Sequence, residues 1–313
     1  TFYTLQNSYS QWTQIGNFGQ GVVSGVYAFD DILCATTYNK GFYASNFNNN
    51  PLWIMRSFRT DFHFLSLCPD PYSPYTAVIA GTDKGIIRSH NLGIVWDSTN
   101  VTHDTVYCLK QDTANYSYRV YAGTSSHLYS SINGGTVWIP TSLNKSITGI
   151  EILSGSIIVT ANDNIYSSSN GGLNWIASDF QQKAFSLSVL YNKVYAGAPY
   201  GIYYSTNKGI NWIATSLHND NIYKWGIGTA GNNLIAYSSS GIYLSTNDGA
   251  TWNQRSTFNR GNSYYFGYNK AYITSDKGII YFSADFGSSW NINNLNNAHI
   301  TTLNYSPGIF LAG

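Results

Sequence analysis

The stretch SINGGTVW, residues 131–138, decides how this chain folds. The short amide side chain of Asn133 can accept bonds from backbone amides just ahead of it and so shape a tight turn. Gly135 supplies the left-handed backbone that side chains with a Cβ avoid. Trp138, on the strand that returns from the turn, has a large ring to bury beneath it. Ser131 precedes the turn at a short, fixed distance.

The same pattern recurs along the whole chain. Eight of the nine tryptophans form a ladder, Trp12, Trp53, Trp96, Trp138, Trp175, Trp212, Trp252 and Trp290, with steps of 37 to 43 residues. Five residues before each stands Asn or Asp: Asn7, Asn48, Asn91, Asn133, Asn170, Asn207, Asn247 and Asp285. Glycine stands three before the last six of these tryptophans and serine seven before. Asn50 and Tyr9 take the glycine place in the first two copies; asparagine tolerates the left-handed conformation and tyrosine fits it poorly. A fixed period near 40 residues marks a repeat architecture.

Around each copy lie four short β-like runs, shown by VYCLK, RVYAGT, HLYSS and TVWIP between residues 106 and 140. Four strands per repeat of about 40 residues is the signature of a propeller blade. A lone blade cannot bury both faces, whereas in a ring each sheet packs on two neighbours. The first residues read as third and fourth strands, and the last, ITTLNYSP and GIFLAG, as first and second strands. The expectation is therefore one all-β domain, residues 1–313: an eight-bladed β-propeller whose last blade is closed by the N- and C-terminal strands. Seven blades is the alternative count. Closure matters because an open ring leaves unpaired edges.

Composition agrees. Charged residues make up 10% and aromatic residues 16% of the chain, and Glu151 is the one glutamate. A net charge of +1 gives no field to attract nucleic acid, and no apolar run approaches the length of a membrane span. Cys34, Cys68 and Cys108 read as free thiols in strands, with a Cys68–Cys108 bridge as the alternative. No cofactor and no metal ligand set is indicated. The surface-like positions are rich in Asn, Ser, Thr and Tyr, as in secreted proteins, and a start at Thr1 fits removal of a leader.

The Asn, Asp and Trp of each repeat belong to the turn, so activity is expected on the opposite face. There the connections between blades, and between second and third strands, carry the titratable residues. Arg56, Arg59, Asp61, His63, His103, Asp104, His218, Asp220 and Arg260 fall in the connections between blades, and His127 in a second-to-third loop. Trp225, outside the ladder, falls in an innermost strand and is a candidate stacking platform. Together these form the expected ligand-binding face, with no catalytic residue assigned.

The motif Ser-x-Asn/Asp-x-Gly-x-x-Trp resembles the Asp-box, or bacterial neuraminidase repeat. The chain is similar in this to sialidases, xyloglucan-active glycoside hydrolases, sortilin-type receptors and the photosystem II assembly factor, and its strands resemble repeats of secreted bacterial surface proteins. A sialidase would need an arginine triad, a Tyr–Glu pair and usually an Arg-Ile-Pro-like motif near the start; that motif is missing here, and no arginine cluster can be placed around Glu151. The resemblance implies an extracellular or cell-surface, non-catalytic propeller that binds protein or glycan or self-assembles as a surface subunit. The alternative is a glycoside hydrolase using paired aspartates on the loop face, such as Asp61 and Asp220, since that chemistry needs two carboxyls at a set separation.

Overall fold

The computed structural model describes residues 2–6, 12–16, 23–29, 32–37, 41–46, 54–57, 62–73, 76–112, 118–218, 226–238, 240–256, 261–267, 270–275, 279–294, 303–306 and 309–312. Among them the regular structure is all β, paired antiparallel into four-stranded sheets. Sheets 1 to 7 each take four consecutive strands, from residues 23–57, 64–98, 106–140, 147–177, 186–218, 226–256 and 261–294. Sheet 8 joins Leu303–Ser306 and Ile309–Ala312 to Phe2–Gln6 and Trp12–Gly16, with Tyr3 opposite Ala312 and Leu5 opposite Phe310. The first strands of successive sheets lie side by side.

The second strands show why the sheets stack. Val120 and Ala122 pack toward sheet 2 with Ile79, whereas Tyr121 between them packs toward sheet 4 with Ile157 and Val159. Ile158 and Tyr195 are the corresponding residues of sheets 4 and 5 that turn toward the next sheet. Side chains alternate across a strand. Because both faces here are covered, the strand reads as a continuous apolar run and not as alternating apolar and polar. Each described apolar cluster accordingly lies between two consecutive sheets. The repeat tryptophan joins the cluster that faces the preceding sheet: Trp138 is fully buried against Ile79 and Val101, and Trp212 is half-buried against the cluster of Phe180 and Val194. Gly81 and Gly123 mark where the next inner strand passes closest. A Cβ on Gly123 would stand 2.6 Å from Cys108 Sγ and 2.9 Å from Ile147.

The repeat turn is built as its composition suggests. Asn133 Oδ1 accepts from the Val137 amide (3.0 Å), Ser131 Oγ accepts from the Gly135 amide (3.1 Å), and Trp138 Nε1 donates to the Gly135 carbonyl (2.9 Å). The same three bonds recur in the turns ending at Trp175, Trp212, Trp252 and Trp290. The residue before the glycine is also left-handed, and it is Leu92, Lys208, Asp248 or Phe286 where it is not glycine.

Polar residues stitch each sheet to the next. Asn100 donates to the Trp138 carbonyl (2.7 Å) and accepts from its amide (2.9 Å). Asp179 does similar work two sheets on, accepting from the Trp212 amide (3.0 Å) and Asn211 Nδ2 (2.9 Å). That carboxylate therefore serves the fold. Cys68 and Cys108 are both free, which removes the alternative of a bridge between them. They pack in different layers, Cys68 between sheets 2 and 3 and Cys108 between sheets 3 and 4. Burial pushes both thiols up to about 12.

Candidate functional site

On the loop face the second and third strands of sheets 2 and 3 are joined by GTDKG (81–85) and GTSSH (123–127). A buried threonine turns each. Thr82 Oγ1 donates to the Gly85 carbonyl (2.8 Å) and accepts from the Lys84 amide (3.1 Å). Thr124 Oγ1 donates to the His127 carbonyl (2.9 Å) and accepts from the Ser126 amide (3.3 Å). Such hydroxyl-capped turns present the residues that follow the threonine at the surface. Here these are Asp83, Ser125 and Ser126.

The connection between sheets 2 and 3 meets these loops. Asp104 accepts from Ser126 Oγ at 2.7 Å on each of its oxygens, from Tyr129 OH (3.1 Å) and from Ser125 Oγ (3.3 Å). Ser126 Oγ also lies 2.7 Å from His127 Nδ1. Burial, with the Asp104 charge beside it, holds the Tyr129 phenol above its ordinary range, so it remains a donor. Next to this group Thr105 Oγ1 donates to the Asp83 carbonyl (3.3 Å), and Asp83 Oδ1 accepts from the His63 amide (2.7 Å). His63 Nε2 stands 4.0 Å from Asp83 Oδ2. The result is a hydrogen-bonded corner running from His63 through Asp83, Thr105 and Asp104 to His127.

Beside this corner the inner strand of sheet 3 bulges. Val106 pairs with Thr124 and Cys108 with Gly123, which leaves Tyr107 as an extra residue. Its side chain is 43% exposed. The inner strands of sheets 2 and 4 carry the same shift, at Leu65 and Thr148. Bulges re-aim a side chain and are frequent beside binding sites. No feature of the sequence pattern distinguished Tyr107 from its neighbours.

The order of groups limits the chemistry. Serine nucleophiles are activated by a histidine that lies between the serine and the acid. Here the serine stands between Asp104 and His127. Ser126 has one proton, to give to Asp104 or to His127 Nδ1. Among the described residues the two carboxyls whose acidity is displaced, Asp163 and Asp285, are both held low. Asp163 is held low by its bond from Lys145 Nζ (2.6 Å). The arrangement suits recognition of a ligand's polar groups beside an aromatic face.

Of the residues expected on this face, His63, His103 and Asp104 fall at this one corner, His103 being exposed. His218 and Arg56 are corrected in placement. The outer strand of sheet 5 runs through His218, whose ring lies 6.5 Å from that of Tyr200. Arg56 lies within the outer strand Ile54–Ser57 as the extra residue of a bulge, with Tyr43 opposite Met55 and Phe42 opposite Ser57. Both are in strands because pairing continues past the repeat tryptophan further than the spacing suggests. Arg59, Asp61, Asp220, Trp225 and Arg260 lie outside the described residues. Among the described residues no group of three or more His, Cys, Asp or Glu is placed to hold a metal.

No protein-family model matches the chain, and no curated protein does. Solved structures do. The computationally designed Ika8 protein has a TM-score of 0.75 at 11% identity, covering 94% of each chain. An ancestral GH74 enzyme has 0.66 at 14%, covering 92% of this chain, which spans about half of that enzyme (48%). YCF48 from Cyanidioschyzon merolae has 0.60 at 12%, covering 82% of this chain and 96% of that one, and YCF48 has also been solved bound to D1 peptide. At such identities the likeness shows the fold alone, a β-propeller.

Proposed function

We propose that this chain is an extracellular, non-catalytic propeller of eight Asp-box blades, closed as a ring by its first and last strands, that binds protein or glycan through its loop face. The corner around Asp104 carries this reading: a carboxylate, hydroxyls and imidazoles held in fixed geometry beside the exposed Tyr107, with the serine misplaced for catalysis. The ring is supported by the pairing of Phe2–Gln6 with Ile309–Ala312 and by the inner strand Val23–Phe29 lying beside Leu303–Ser306. The scarcity of charge and the abundance of Asn, Ser, Thr and Tyr support the extracellular setting. Binding of a peptide by the similar YCF48 fold supports a protein ligand.

The test is a screen of the intact chain against glycan and peptide arrays, repeated with Tyr107→Ala and Asp104→Asn. Both variants are expected to lose at least about tenfold in affinity, a change of about 1.4 kcal/mol, for whatever the intact chain binds. A ligand held equally well by both variants, with circular dichroism unchanged, would place binding elsewhere. Hydrolysis of xyloglucan or another β-glucan by the purified chain would overturn the non-catalytic reading.

A further inference from the structure

The opposite face carries the repeat turns and the loops between first and second strands, and among its described residues two exposed tyrosine rings stack on each other. Tyr72 follows the inner strand of sheet 2, and Tyr118 precedes the second strand of sheet 3. Their rings stack with centroids 4.9 Å apart and planes 30° apart, yet Tyr72 is 55% and Tyr118 40% exposed. Tyr72 is anchored at both ends. Its hydroxyl donates to the Ile132 carbonyl (2.8 Å), and its amide donates to Oδ1 of Asp70 (2.9 Å), a fully buried carboxylate paired with Arg88.

Tyr118 has φ +47°, the left-handed region that favours glycine. Tyr191, Tyr200 and Phe286 are also exposed and left-handed, so what sets Tyr118 apart is its stacking on the anchored ring of Tyr72. Strain of this kind gathers at ligand sites.

We infer that the Tyr72–Tyr118 pair is a second ligand site, on the turn face, that takes a neutral pyranose unit of a glycan. Rings already in contact leave no slot for a prolyl ring, which proline-rich peptides require between aromatic walls. What they offer is the outer face of a ring anchored against rotation, flanked by exposed Ile132. That flat apolar platform matches the C–H face of a pyranose. Arg119 and Asp112 stand on the same hairpin, joined by the bond from the Asp112 amide to the Arg119 carbonyl (2.8 Å). Their side chains are of the kinds that bond sugar hydroxyls. The inference is independent of the loop-face reading.

The experiment is calorimetric titration of the chain with cellohexaose, mannohexaose and chitohexaose, using Tyr118→Gly, Tyr118→Phe and, as a control on the other face, Tyr107→Ala. At least one sugar is expected to bind, with affinity reduced about tenfold or more by Tyr118→Gly and kept by Tyr118→Phe, while Tyr107→Ala separates any share held at the loop face. Because glycine relieves the strain, Tyr118→Gly is expected to melt no lower than the parent. Two results each overturn the site: no sugar bound by the parent chain, or equal binding by Tyr118→Gly. Binding of a Pro-x-x-Pro peptide at Tyr118 in place of all three sugars overturns the ligand class. Loss of binding in Tyr107→Ala alone returns the sugar to the loop face.

Discussion

Asp285 fills a place that asparagine holds in the other seven copies of the turn, and this makes one turn sensitive to acid. Burial raises its carboxyl. Bonds from Ser289 Oγ (2.6 Å), the Ser289 amide (2.8 Å) and Ser283 Oγ (2.8 Å) outweigh that and hold it below the ordinary 3.8. A group whose folded value is depressed contributes stability that is fully present above the unfolded value and is lost as pH falls through the folded one. Asp285→Asn is therefore expected to change little at neutral pH and to flatten the fall in stability below about pH 4. The check is the urea midpoint of both chains across that range. The Lys145–Asp163 pair remains in both, so some acid dependence persists and the difference between the curves is the test. Parallel curves would mean that Asp285 titrates as it does unfolded.

At the scale of the element, the repeat turn shows what was and was not legible. Asn133, Gly135 and Trp138 name their own roles because each is the one residue type that does its job: an acceptor on a short stem, a free left-handed backbone, a large ring. The second left-handed position was not legible, since sheets 3 and 4 use Gly134 and Gly171 there but the other described turns use Leu92, Lys208, Asp248 or Phe286. A conformation tolerated by a strained side chain leaves no mark in the pattern. Lys208→Gly, at φ +60°, is expected to raise stability by about 0.5–1 kcal/mol, the relieved strain exceeding the entropy that glycine costs. Gly135→Ala should destabilise by about 1–3 kcal/mol, because φ is +76° and the new Cβ would lie 2.6 Å from Ile79 Cδ1. Chemical unfolding measures both, and a stabilising Gly135→Ala would refute the account of the turn. The candidate site was half legible for the same reason. His63, His103 and Asp104 announce themselves as titratable loop residues, whereas Asp83 and Ser126 depend on threonine-capped turns, and Tyr107 on a bulge that pairing alone reveals.

For the whole molecule the decisive question is whether the terminal strands hold the ring. Each described core layer lies between two sheets, so a sheet with one neighbour missing exposes a full apolar face. Sheet 8 is half made of Phe2–Gln6 and Trp12–Gly16, the former paired directly to Ile309–Ala312. A chain lacking residues 1–16 leaves that strand edge unpaired and takes away part of the contact of sheet 8 with its neighbours. If the ring is closed there, the shortened chain should melt several degrees lower and associate through the freed edge, which light scattering after gel filtration detects. Adding the peptide of residues 1–16 should reverse both changes, because the missing strands then pair in trans. If the shortened chain stays monomeric and melts as before, the terminal strands are not a clasp, and the seams between sheets 1 and 7 carry the stability by themselves. The second outcome would favour the seven-blade count, since sheet 8 would then be an addition to the ring and not a member of it.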